Sequence, residues 1–296
     1  MSNHCHTILR THSERVQGWD DIVIAKRWTR LFPRRDAEGE PIPLSQEELE
    51  HWILDQDRLA VIRGRLADLS WFMRCLNEWI ARKANKEDSC SGRFWEGRFK
   101  CQKLVDEAAL LACSVYVDLN PIRAGIADTP ETSEHTSVKM RIDARQDYQC
   151  FKRLTEEAPE RVETEFPDGR QPEHEESGIW LTPIPIQPPY PQPRPGTFHM
   201  SLDHYIELVD WTGRMVRSDK RGSIPAHLRP ILERLEIDVD NWIEVVLGFG
   251  RLFKTIVGKA KDLAAEAARR GRQFVKGLGQ ACRFYREPSP PIPKDG

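Results

Sequence analysis

The sequence predicts an α+β protein that ends in a helical region. Three observations carry that prediction. Apolar residues recur at helical spacing behind residues that cap helices, as in Leu69, Phe72, Met73, Leu76 and Ile80 after Asp68. Between such stretches lie short extended segments. One is His4–Arg10, and another is Gly92–Val105, where Arg and Lys alternate with aromatics. A proline-rich run, Thr182–Gly196, then divides the chain, because proline fixes φ and removes a backbone donor.

Taken in order, Asp20 or Asp21 caps a helix through Leu31, and residues 33–44, with three Pro and one Gly, read as a loop. Ser45-Gln46-Glu47-Glu48 has the capping-box pattern and opens a second helix. Asp68 starts a third helix to about Lys83. Asp106 caps a fourth, with Leu110, Leu111, Cys113 and Val117 turned inward, and Pro121 stops it because the residue before proline leaves the helical region. Past the proline-rich run, Ser201-Leu202-Asp203 is a capped helix start. A helix near 239–256 and a basic helix from about 258 to 285 follow. These boundaries divide the chain into residues 1–150, an acidic and Pro-rich linker at 151–197, a helical region at 198–286 and a disordered tail at 287–296. The 182–196 run reads as a spacer in extended polyproline form.

The chain has 296 residues with 44 Lys and Arg against 46 Asp and Glu, a net charge of -2. That length buries a core without disulfide staples. No apolar run reaches the roughly 18 residues of a membrane span. The seven cysteines lack close pairs, so a reducing cytoplasm is expected and a zinc module is not. The near-neutral total hides a pattern. Residues 63–103 hold ten Lys and Arg against five Asp and Glu, residues 128–178 hold seven against fourteen, and residues 200–296 hold seventeen against thirteen. A local basic field can bind phosphates on a chain that is neutral overall.

Two motifs can carry chemistry. On a strand, His4 and His6 face the same way and can share one divalent ion. In Cys113-Ser114-Val115-Tyr116-Val117-Asp118-Leu119-Asn120-Pro121-Ile122-Arg123-Ala124-Gly125, Tyr116 and Asn120 are four apart and share a helix face. Either motif alone also reads as structure: two histidines of a frayed terminus, or a core tyrosine and a helix-ending asparagine.

Together with Gly92-Arg93-Phe94-Trp95-Glu96-Gly97-Arg98-Phe99-Lys100 between them, and in this order, they resemble the single-tyrosine transposases of the HUH nuclease superfamily, the REP-associated tyrosine transposases in particular. The match covers about residues 1–140, and Tyr116–Ala124 is its more specific part. The resemblance implies a partial ferredoxin-like domain with an antiparallel sheet. It implies Tyr116 as the nucleophile, Mg²⁺ or Mn²⁺ held by His4, His6 and Asn120, and single-stranded or hairpin DNA as substrate. Arg93, Trp95, Arg98, Phe99, Lys100, Lys103 and Arg123 are the DNA-binding candidates, the aromatics stacking on bases and the cations gripping phosphates. The family tends to dimerise. It also places a strand and a helix before the two histidines, and Cys5 stands where it has a bulky hydrophobe. This chain starts three residues before His4, so the expected domain is truncated there. Residues 11–65, with Trp19, Trp28 and Trp52, read as an insertion. The expectation is a DNA strand transferase. The alternative is an inactive or domesticated DNA-binding descendant.

Overall fold

The computed structural model describes residues 5–165, 181–182, 184, 198–217, 232–233, 237–238, 241–272 and 276–285. His4, most of the proline-rich run and the 287–296 tail lie outside these residues. The chain divides into two compact units. One is Leu9–Lys100, and the other joins Met1–Ile8 to Cys101–Gly296. The described residues are mostly helical, with two small two-stranded sheets.

The Leu9–Lys100 unit is built from helices α1 Ser13–Gln17, α2 Asp21–Leu31, α3 Gln46–Leu54, α4 Gln56–Leu66 and α5 Leu69–Glu87. The region read as an insertion is thus a helical body with its own core of Val16, Ile24, Ala25, Leu49, Leu59 and Ile62. Arg63 ties it together. Its guanidinium donates to the carbonyls of Val16 and Trp19 at 2.9 and 2.6 Å and pairs with Asp21 at 2.8 Å. The capping box at Ser45 forms in both directions, and Asp68 caps α5. The 33–44 loop holds a short antiparallel pair, β1 Arg34–Arg35 with β2 Pro41–Ile42.

The other unit contains β3 Lys103–Leu104, α6 Glu107–Asp118, α7 Asn120–Arg123, α8 Ser137–Glu157, α9 Val162–Glu165, α10 Leu202–Arg217, α11 Trp242–Leu252, β4 Ile256–Val257, α12 Ala260–Arg269 and α13 Leu278–Phe284. One hydrophobic core runs through it, from Leu111, Val115 and Val138 to Tyr205, Trp242, Phe249 and Tyr285. The boundary expected at residue 150 therefore does not coincide with a division of the core. Burying α6 takes apolar faces from both sides of the proline-rich run. That run is anchored where it begins: Ile184 is buried in the same core, and the Thr182 carbonyl accepts from Arg141 at 2.8 Å.

Several expectations are corrected. Residues 5–10 form no strand, and among the described residues no strand lies beside them to offer a ladder of backbone bonds. Of the 92–105 segment only Lys103–Leu104 is a strand, and it pairs in parallel with Ile256–Val257. The described part of the C-terminal region therefore includes the strand Ile256–Val257 and is not all-helical. The basic helix expected over 258–285 is two helices, because the chain turns at Gly271 with φ of +64°, a conformation glycine adopts freely. Tyr116 and Asn120 do not share one helix: α6 ends at Asp118, and Asn120 opens α7 ahead of Pro121.

Candidate functional site

The candidate centres on α6. Asp106 caps it, accepting from the Ala109 amide at 2.7 Å, and its opposite end delivers Tyr116. The buried face of Leu111, Ala112 and Val115 fixes the helix against the core, which leaves Tyr116 half-buried at the edge. Asp118, two residues on, is fully enclosed. It accepts hydrogen bonds from the Tyr205 hydroxyl at 2.6 Å, the Ser137 hydroxyl at 2.8 Å and the Val138 amide at 3.3 Å. Burial raises its carboxyl above the ordinary range, and the bonds from Tyr205, Ser137 and Val138, with the charge of Arg141, pull it back. This network joins α6 to α8 and α10, and so sets the height of Tyr116.

Four groups surround the phenol. The His6 ring stands edge-on to it, 5.4 Å between centroids and 71° between planes. The Arg123 guanidinium lies over its face at 4.9 Å, and the same side chain donates to the Leu247 carbonyl at 3.0 Å. Phe249 stacks on it at 5.7 Å and 30°. A Cβ on Gly250 would stand 3.2 Å from the phenol oxygen, so the glycine is what allows α11 to approach so closely. Cys113, one turn before Tyr116, does not compete as a nucleophile. Burial pushes its thiol up to about 12, and a protonated thiol is unreactive.

The fold thus brings together Tyr116, His6 and Arg123 out of the residues expected from sequence. Asn120 is close along the chain and buried, and its amide nitrogen has no hydrogen-bond partner among the described residues. His6 and Asn120 offer an imidazole nitrogen and an amide, donor types that divalent ions accept, and rotation about the amide exchanges its nitrogen and oxygen. They fit such an ion in kind. Among the described residues no three His, Cys, Asp or Glu side chains converge on one point.

The remaining candidates fall elsewhere. In the Leu9–Lys100 unit, the Trp95 indole donates to the Asn77 carbonyl of α5 at 2.9 Å, and Arg93 donates to the Trp95 carbonyl at 2.9 Å. These two are engaged in local structure, whereas Arg98, Phe99 and Lys100 are exposed. Lys103 belongs to the other unit and is ion-paired to Glu266 at 3.0 Å. Phe249 and Gly250 were not legible as partners of Tyr116. The signal for them is slight, a helix carrying Gly248 and Gly250 two residues apart in Leu247-Gly248-Phe249-Gly250-Arg251.

The comparisons with known proteins are negative: no family model matches this chain, and no curated protein or solved structure matches it. Among the described residues no helix is long and apolar enough to cross a membrane.

Proposed function

We propose that this protein is a cytoplasmic DNA strand transferase of the HUH single-tyrosine type, with Tyr116 as its nucleophile. One observation carries the reading. His6 and Tyr116, 110 residues apart in sequence, meet ring to ring at 5.4 Å, with the Arg123 guanidinium over the same phenol. A phenol flanked by an imidazole and a cation is suited to attack on a phosphodiester.

In this reaction the Tyr116 oxygen attacks phosphorus and loses its proton to solvent. The bond from phosphorus to the 3′-oxygen breaks, leaving a 5′-phosphotyrosyl link and a free 3′-hydroxyl. An incoming 3′-hydroxyl reverses the step, so the bond energy is conserved and no nucleotide is consumed. A phenolate, its charge delocalised over the ring, is a better leaving group than an alkoxide, which suits that return. Arg123 offsets the charge that builds on the phosphoryl oxygens. His4, His6 and Asn120 would hold Mg²⁺ or Mn²⁺, which when bound would polarise the phosphate. Arg98 and Lys100 contact the backbone of single-stranded or hairpin DNA, and Phe99 stacks on a base.

The test is an SDS-resistant protein–DNA adduct formed on labelled single-stranded and hairpin DNA with Mn²⁺. The expected result is an adduct that disappears in Tyr116→Phe while thermal stability is retained. No adduct with the unaltered protein on any DNA of the pool would sink the enzymatic reading. A second reading, a DNA-binding descendant without catalysis, is favoured by one feature. The phenol is stacked on Phe249 and its oxygen faces Gly250, a setting that also suits a structural tyrosine.

A further inference from the structure

Glu266 on α12 is 7% exposed, yet it is an ionised carboxylate surrounded by cations. Arg269 grips it with two nitrogens, at 2.8 and 2.7 Å. Arg270 donates through Nε at 2.8 Å, and Lys103 reaches it from β3 at 3.0 Å. Two bonds fall on each oxygen, which uses up the roughly four acceptor positions of a carboxylate. Those bonds, led by Arg269 and then Lys103, hold the carboxyl far below the ordinary range.

The charge does not balance. One carboxylate faces three cations, so two positive charges are left over. The donors do not balance either. Each guanidinium has five N–H groups and the ammonium has three, and only a minority of them are used on Glu266. The side chains remain open to solvent: Arg269 is 66% exposed, Lys103 47% and Arg270 32%. A buried carboxylate that anchors three cations, and cannot neutralise them, fixes a pre-ordered pair of surplus charges on the surface.

We propose that Lys103, Arg269 and Arg270 form a docking site for the phosphodiester backbone of single-stranded DNA, with Glu266 as the anchor that orders them. The site rests on the reading that this chain handles single-stranded DNA. It assigns to α12 and β3 the task of tracking a strand through contacts that carry no base sequence. Guanidinium forks match phosphate oxygens bidentately, and an arginine already held by one edge loses less side-chain entropy on binding.

Equilibrium binding of a fluorescent single-stranded oligonucleotide to the full chain tests this, with Tyr116→Phe as background so that no covalent capture intervenes. Each lost phosphate contact makes the plot of log K against log salt shallower by ~0.7 on a single strand. Arg269→Ala with Arg270→Ala should therefore flatten the slope by about 1.4. Between roughly 50 and 200 mM salt this variant should lose about sevenfold less affinity than the parent. Lys103→Ala, which leaves both arginines on Glu266, should flatten it by about 0.7 and guards against a double variant that fails to fold. Replacing both arginines by lysine should keep the parental slope. The parental slope in Lys103→Ala, or in a folded double alanine variant, overturns the proposal, as does a parent that binds no single strand at low salt. Adduct formation is scored separately. Slope changes without an adduct keep this site and remove the nuclease, whereas an adduct with unchanged slopes does the reverse.

Discussion

Removing the Tyr205 hydroxyl should weaken the fold by an amount that depends on pH. Its oxygen donates to Asp118 at 2.6 Å, and both side chains are 1% exposed. In Tyr205→Phe the ring still fills its place, so the packing loss is small and the lost bond dominates. A hydrogen bond to a charged group contributes about 2 kcal/mol, and one between neutral groups about 1 kcal/mol. Asp118 retains Ser137 and Val138, which keeps the cost near 2 kcal/mol when the carboxylate is ionised. For a unit of this size that is a fall in Tm of about 4–8 °C.

The sign with pH follows from burial. Desolvation raises the Asp118 carboxyl in the folded state, so the fold favours the protonated form. That stabilising contribution is fully present below the unfolded value and is lost as pH rises through the folded one. The Tyr205 bond offsets part of the penalty on the ionised form. The Tyr205→Phe cost is therefore largest above the folded value and shrinks to about 1 kcal/mol once Asp118 is protonated. Urea denaturation of both proteins across acidic to neutral pH measures this. A cost that is equal at every pH, or below ~0.5 kcal/mol at neutrality, refutes the view that Tyr205 supports an ionised buried carboxylate.

Three further outcomes are expected. Gly258→Ala should destabilise by roughly 3 kcal/mol in urea titration, because the new Cβ would stand 2.1 Å from Val105 Cγ2 and 2.9 Å from the Asp106 oxygen that accepts from the Lys259 amide. Ser45→Ala should cost about 1 kcal/mol, read as faster amide exchange in α3 with α8 unaffected, since the capping box is local to the first unit. Arg123→Ala should cost about 1 kcal/mol in thermal unfolding through its contact with the Tyr116 ring and its bond to Leu247.

Four helix starts were legible because the interactions that define them are local, although α4 and α8, capped as locally by Asp55 and Thr136, were not read, and Asp20 precedes α2 without a side-chain cap. Ser45 bonds Glu48, Asp68 bonds Ser70 and Trp71, Asp106 bonds Ala109, and Ser201 bonds His204, all within three residues, so a short stretch of sequence contains both partners. Pro121 was legible in part: α6 ends before it, but Asn120, the residue preceding the proline, stays helical and opens α7. The strands were not. Lys103–Leu104 is a strand only because Ile256–Val257 lies beside it, and no local pattern names a partner about 150 residues away. The same holds at the candidate site. The chain displays Tyr116, His6 and Arg123 as residue types with spacings, and a resemblance can connect them. That Phe249 and Gly250 cover the phenol, that Asp118 is held by Tyr205, and that Glu266 gathers Lys103 to Arg269 and Arg270 were decided by the tertiary structure. Sequence alone determined where helices could begin. Which side chains share a buried space depended on packing one core from both sides of the proline-rich run, where burial and charge act over distance rather than along the chain.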